Sequence, residues 1–317
     1  MPELPEVETI VRAYRSRLEG RRITRFVSRW ARQAQPSVPA VRRGIVGNWI
    51  AALGRRGKYI AVELHSAGDG HAQASLPVAP DLELDKHGRS LPVAPGPRAE
   101  ARARGSLMEP AVQVAYLLIH LRMSGRFEWA AEHEREPAHV RATFDLDDGN
   151  RLLFCDARKF GKIIFTRDLE AATGHLGLEP LERGFTAARL ERLLRGRARQ
   201  LKPLLLEQSV VAGLGNIYTD EALFEARLHP AMRCDRLGRD QIRALCDAIR
   251  RVLRKAIRCH GTTIDWIYPG GWMQRHLKVY GRAGLPCRRC RTPIEGLRIA
   301  QRGTCICPKC QRLDGRG

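Results

Sequence analysis

No apolar run in this chain approaches the roughly 20 residues that a membrane span requires, so no membrane partner is expected. The first residues are acidic and lack the basic-then-apolar pattern of a secretory signal, which points to the cytoplasm. Negative charge is in short supply. The chain carries 34 Asp and Glu against 55 Lys and Arg, a net charge of +21. Such an excess on a soluble chain fits a polyanionic partner, most simply nucleic acid, although an arginine-rich composition accounts for part of it. A disulfide framework is also missing: four of the nine cysteines have metal-site spacing, which suits a reducing compartment. At 317 residues, 44% of them hydrophobic, the chain has room for two or three domains with a real core.

The rest of the chain is organised around its opening stretch, Met1-Pro2-Glu3-Leu4-Pro5-Glu6. A proline after the initiator methionine is normally exposed by trimming, which leaves a secondary amine as the terminus. An α-amine has a pKa of roughly 7.7–8, so much of it is neutral and nucleophilic at working pH. Pro5, Glu6 and Glu8 read as a helix start. Val7, Ile10, Val11, Tyr14 and Leu18 then form a stripe of helical period. Taken alone, the stretch is a helix cap at an exposed end. Its functional reading is an amine with the carboxylates of Glu3 and Glu6 close by.

Short strands are predicted over 21–27 and 47–53, followed by a turn that enters a strand with Lys58 at its mouth. From about 66 to 110 the composition shifts to Gly, Ala, Pro and Arg, and Ser75-Leu76-Pro77-Val78-Ala79-Pro80 recurs at Ser90–Pro95. That segment is expected to be a mobile insertion with little regular structure. Strands are predicted again over 112–120, 142–146, 151–155 and 162–166. Between the last two, Asp156-Ala157-Arg158-Lys159-Phe160-Gly161 places basic residues beside an aromatic, a combination that can grip phosphate and wedge a base stack. Helices are predicted over 187–194, 201–206, 218–226 and 240–259. The glycine-rich turn before Asn216 is suited to presenting N–H groups to a phosphate, or simply to joining two helices. Residues 261–274 read as a flexible loop.

Cys287-x-x-Cys290 and Cys307-x-x-Cys310 are two thiolate knuckles separated by sixteen residues, the spacing of a structural four-cysteine zinc site. A small hairpin with Arg302 at its tip lies between them, and a segment so small needs its metal to fold.

The N-terminal motif, Arg56-Gly57-Lys58-Tyr59, His120–Gly125, Asp156–Gly161, Gly213–Tyr218, Val279–Arg282 and the zinc tail come in order at compatible spacing. Over nearly the whole chain apart from the insertion, the sequence resembles formamidopyrimidine-DNA glycosylase, the bacterial base-excision enzyme for oxidised purines. The resemblance implies an α+β fold in which residues 1–167 form a catalytic β-sandwich domain with the N-terminal helix and the 66–110 insertion. Residues 168–186 would be a linker, 187–280 a helix–two-turns–helix DNA-binding domain, and 281–317 a zinc finger. A monomer acting on damaged double-stranded DNA in the cytoplasm, at the nucleoid, is expected.

Position by position, the resemblance makes Pro2 the nucleophile that forms a Schiff base at C1′. It makes Glu3 the general acid/base, with Glu6 supporting the site. Lys58 matches the proton donor in β-elimination and Arg302 the residue assigned to δ-elimination. Met123, Arg158 and Phe160 match the residues that fill the void left by the flipped nucleotide. His139, Arg199, Lys202 and Asn216 match DNA-contacting positions. Cys287, Cys290, Cys307 and Cys310 would hold one Zn2+. The sequence departs from the family pattern at Arg141, Glu207 and Met273, and most of all in the insertion. Two other readings are a sister glycosylase for oxidised pyrimidines and a non-enzymatic zinc-finger DNA-binding protein. Leu4–Glu8 favours the purine enzyme over the first, and the second leaves Pro2-Glu3 without a use.

Overall fold

The computed structural model describes residues 1–66, 113–263 and 270–313. The predicted insertion, apart from Ser66, lies outside the described residues, as does Trp266 of the expected loop. Helix α1 (Leu4–Leu18) opens the chain. Its stripe residues Val7, Ile10, Val11 and Leu18 are buried, together worth on the order of 10 kcal/mol before the entropy cost is subtracted. They pack against two sheets. One has the order β1 (Ile23–Ser28), β7 (Val140–Leu146), β8 (Asn150–Asp156), β6 (Gly125–Ala131). The other runs β2 (Ala34–Gln35), β9 (Lys162–Thr166), β5 (Val114–His120), β4 (Tyr59–His65), β3 (Trp49–Arg56). Phe26, Phe144 and Phe154 of the first sheet share a core with Val62, Leu117, Ile119 and Ile163 of the second. This is the sandwich that the resemblance implies.

Between β1 and β3 stands a helix, α2 (Val38–Ile45), that the sequence pattern did not signal. Its start is fixed locally: Ser37 Oγ accepts from the Ala40 N–H at 3.3 Å, and Pro39 sits in the first turn. At one end of the five-stranded sheet the register aligns Tyr59, His120 and Lys162, with Ala34 beside Ile163. Everything that gathers at that end comes from turns: the β3–β4 hairpin with Lys58, the β5–β6 connection with Met123, and the β8–β9 connection with Arg158 and Phe160.

The second half is helical. After the short α3 (Leu169–Thr173) come α4 (Ala187–Leu194), α5 (Leu201–Leu205), α6 (Asn216–Glu225) and α7 (Arg239–Arg258). On α7, Ile242, Leu245, Ile249, Leu253 and Ala256 recur at helical spacing and enter a core that also holds Leu4 of α1. The first helix thus belongs to both halves. The expected start of α6 at residue 218 moves two residues earlier, which makes Asn216 its first residue.

The C-terminal hairpin pairs β10 (Glu295–Ile299) with β11 (Arg302–Ile306). Its tip is Ala300-Gln301, both left-handed, and Arg302 opens the returning strand opposite Ile299. The chain reaches this finger through a segment fixed by the buried Glu221, whose carboxylate accepts from the N–H groups of Lys278, Val279 and Tyr280 at 2.9–3.0 Å. Glu221→Ala leaves three N–H groups in or near the interior without an acceptor. At about 1–3 kcal/mol each, a loss near or above 3 kcal/mol is expected in urea unfolding, and a loss below 1 would contradict it.

Candidate active site and nucleic-acid interface

The site forms where the start of α1 meets the start of α6. Glu6 reaches back to the Glu3 N–H at 2.9 Å, half of a capping box. The Glu3 side chain takes no part in capping its own helix. Its two oxygens instead accept from Gly215 N at 2.8 Å, Ile217 N at 2.8 Å and Tyr218 N at 3.3 Å. Glu3 therefore caps α6 from more than two hundred residues away. The approach is so close that a Cβ on Gly215 would lie 2.3 Å from the Glu3 carboxyl carbon. The N–H groups at this helix start, suited by sequence to a phosphate or simply to a helix–helix connection, are taken up by the protein's own carboxylate.

Glu6 lies one turn further into α1. Its Oε1 accepts from the Tyr218 hydroxyl at 2.5 Å and from Thr262 N at 2.8 Å. Gly261 turns beside it with φ +77, where a Cβ would strike the Glu6 carboxylate at 2.7 Å. Both glutamates are buried. Burial raises the Glu3 pKa to about 7; the Lys58 charge works against this and the Glu6 charge adds to it. Burial raises Glu6 as well, with the Tyr218 hydrogen bond opposing. Lys58, 5% exposed, is pushed down by burial, while the charges of Glu3 and Glu6 hold it up and those of Arg302 and Arg122 lower it. Pro2 is buried next to Glu3, and Met1 before it is exposed. Pro2, Glu3, Glu6, Lys58 and Arg302 therefore share one neighbourhood although they come from three separate parts of the chain. A carboxyl that titrates near neutrality beside a destabilised ammonium is equipped to give and take protons at pH 7.

A buried ion network sets the Lys58 turn. Glu179 accepts from the Gly57 N–H and from Arg55 at 2.9 Å, and Arg55 continues to Glu8 on α1 at 3.2 Å. No sequence signal marked Glu179, because its partners lie more than a hundred residues away. Beside Glu6 opens a cavity of 560 Å³, bounded by Tyr14, Arg126, Glu128, His260 and Gly271.

Met123 and Phe160 are among the few exposed large apolar side chains, at 36% and 49%. Both turns hang from one buried carboxylate, Asp156. Its Oδ1 accepts from the Ser124 hydroxyl and from Arg158 N at 3.2 Å, and its Oδ2 from Gly161 N at 2.7 Å. Arg158 lies 5.0 Å from the Phe160 ring centre. His139 is exposed in a left-handed conformation, and its carbonyl accepts from Asp156 N at 3.0 Å.

The remaining positions sit differently. Lys202 is fully buried, with its ammonium 2.6 Å from Asp220 and donating to Gly303 O at 2.9 Å and Thr304 Oγ1 at 2.8 Å. Two hydrogen bonds and an ion pair hold the ammonium within the protein, so here Lys202 fastens α5 to the Arg302 hairpin. Asn216 Nδ2 donates to the same Gly303 carbonyl at 2.9 Å. Arg199 is half exposed and pairs with Glu207 at 2.5 Å. The four predicted cysteine sulfurs lie within 4.8 Å of one another, a cluster that fits one tetrahedral zinc.

Family comparison agrees over almost the full length. The formamidopyrimidine-DNA glycosylase N-terminal domain model matches residues 1–163 and its H2TH domain model residues 176–267. A zinc finger found in FPG and IleRS matches residues 284–313. The formamidopyrimidine-DNA glycosylase of Chloroflexus aurantiacus is 37% identical, covering 98% of both chains. That of Enterococcus faecalis is 33% identical, covering 100% of this chain and 99% of its own. Among solved structures, the Lactococcus lactis Fpg (MutM) in complex with N7-benzyl-Fapy-dG DNA superposes with a TM-score of 0.79 at 30% identity, covering 98% of this chain and 100% of that one. The Lactococcus lactis Fpg bound to DNA containing an abasic site gives 0.78 at 29% identity, covering 98% and 99%. In sequence and in fold, from the opening helix to the four-cysteine finger, the chain belongs to the formamidopyrimidine-DNA glycosylase family.

Proposed function

We propose that this chain, once Met1 is removed, is a bifunctional DNA glycosylase and AP lyase of base excision repair. It excises 8-oxoguanine and formamidopyrimidines from double-stranded DNA and cleaves the strand by β,δ-elimination. The observation that carries this reading is the buried Glu3 carboxyl, titrating near 7 next to Pro2 and Lys58. The relatives are named formamidopyrimidine-DNA glycosylases, and the solved neighbours hold damaged DNA.

With Met1 in place the Pro2 nitrogen is an amide and has no free lone pair. Without it, a secondary amine attacks C1′, the bond from C1′ to the base breaks, and the amine's proton passes to the departing base. Glu3, in its acid form, protonates the ring oxygen as C1′–O4′ opens, which leaves a cationic imine on Pro2. The imine withdraws electrons from C2′, so loss of a C2′ proton expels the 3′-phosphate, and loss of a C4′ proton from the resulting conjugated imine expels the 5′-phosphate. Lys58 and Arg302 serve these two eliminations. Met123, Arg158 and Phe160 occupy the gap that the extruded nucleotide leaves, and the cavity beside Glu6 receives its base. His139, Arg199 and Asn216 lie along the DNA path. Zn2+ on Cys287, Cys290, Cys307 and Cys310 is structural and holds the Arg302 hairpin. The enzyme acts in the bacterial cytoplasm, at the nucleoid; among the described residues no helix is long and apolar enough to cross a membrane.

Borohydride trapping on an 8-oxoguanine duplex tests this reading. A covalent complex is expected from the Met1-processed chain. Pro2→Gly should reduce trapping sharply while DNA binding persists; undiminished trapping would remove Pro2 from its role. A strong preference for thymine glycol duplexes would move the chain to the oxidised-pyrimidine class. Because Glu3 must hold a proton when the ring opens, single-turnover formation of the borohydride-trappable imine should decline as pH rises through about 7. A profile that stays flat to pH 9 would exclude Glu3 as the acid. Cys290→Ser is expected to lose zinc and duplex affinity together, and a metal-free variant with full affinity would contradict the structural role of the finger.

A further inference from the structure

Beyond the void-filling turn stands a cationic cluster that the proposed mechanism does not use. The Lys159 ammonium lies 4.7 Å from the centre of the Trp30 ring, and the Arg32 guanidinium lies 5.8 Å from the same centre. Arg32 and Lys159 are both exposed, and among the described residues neither has a carboxylate within ion-pair distance. The loop beneath them is fixed. Gln33, buried, donates to Ser28 Oγ at 3.0 Å and to Arg141 O at 2.9 Å, and Lys162 Nζ donates to Arg32 O at 2.8 Å. Two like charges gathered at one aromatic ring repel each other, and with no carboxylate paired to them they are poised for an external anion.

Strand register says which anion. Along one end of the five-stranded sheet the order is β4, β5, β9, β2. Lys58 precedes Tyr59 of β4, Tyr59 faces His120 of β5, and His120 faces Lys162 of β9. Arg32 and Gln33 lead into Ala34 of β2, which faces Ile163. Lys58 and Arg32 are therefore three strand spacings apart, roughly 14 Å at 4.7–4.9 Å each. The turns bearing Met123, Arg158 and Phe160 project from the strands between them. With the reacting strand at Lys58 and void-filling side chains in the middle, the far end meets the other strand of the duplex.

We propose that Trp30, Arg32 and Lys159 form a phosphate clamp for the DNA strand opposite the lesion, with the indole holding both cations in place. This rests on the DNA-repair reading above. Each phosphate neutralised contributes about 0.9 to the slope of log affinity against log salt. The test is binding of the whole zinc-loaded protein, by anisotropy, to a duplex with a tetrahydrofuran abasic analogue over a salt series. Arg32→Ala and Lys159→Ala should each reduce the slope by about one, and the double variant by about two. Neutral methylphosphonates placed singly in the undamaged strand should weaken the native chain at one or two positions, and the double variant should be insensitive there. Trp30→Leu, which keeps an apolar side chain but no π face, should lose part of the same slope; circular dichroism and zinc content confirm that each variant is folded. An unchanged slope overturns the clamp. Insensitivity that appears only at damaged-strand phosphates overturns the strand assignment. A native chain with no affinity for the duplex overturns the clamp together with the reading beneath it, whereas intact native binding with unchanged variants overturns the clamp alone.

Discussion

The structure depends on one carboxylate that serves the wrong helix. Glu3 is placed to cap α1 but gives its oxygens to the N–H groups that open α6. Four N–H groups at a helix start need acceptors, and the partial positive charge there attracts an anion. A water molecule or a phosphate would meet that need at an ordinary glycine-rich turn. Here the chain's own N-terminus does so, and with it the sandwich and the helical half are joined beside Pro2 and Lys58. Leu4 seals the same joint, buried in the helical core and donating its N–H to Gly213 O at 3.0 Å.

The joint also tunes the chemistry. A carboxylate that accepts three N–H bonds at a helix start would ordinarily be strongly acidic. Burial outweighs those bonds and carries Glu3 to about 7, with the Lys58 charge opposing. The same burial works on Lys58 with the opposite sign and weakens its hold on its proton. Two groups of opposite charge are thereby brought toward neutrality in one pocket. Around them, single buried carboxylates hold the surrounding turns in place: Glu179 the Lys58 turn, Asp156 the Met123 and Phe160 turns, Asp220 with Lys202 the Arg302 hairpin, and Glu221 the approach to the zinc finger. A chain with a large surplus of positive charge places several of its few acids in the interior, which leaves the surface positive.

Much of this was legible before folding. The apolar stripe of α1, the strand at 162–166 and the helix at 187–194 appear where periodicity puts them, because their signals are local. The zinc cysteines were legible for the same reason, since four ligands at knuckle spacing leave little freedom. Helix α2 was not, although its Ser37 cap and Pro39 were in view, because eight residues carry too short a period to stand out. Lys202 was matched to a phosphate contact on sequence alone, yet its burial against Asp220 is visible only once α5 and α6 are packed.

The sequence by itself determined most of the elements, the metal-ligand spacing and the family, because each of these is written in short spacing or in ordered motifs. Only the tertiary structure decided which charges face one another. It put Glu3 on α6, drew Lys58 between two glutamates and two arginines, and lined up Lys58, Phe160 and Arg32 across one end of a sheet. Electrostatic and hydrogen-bond energies depend on distance and on exclusion of water, and neither is fixed until segments far apart in the chain are packed together.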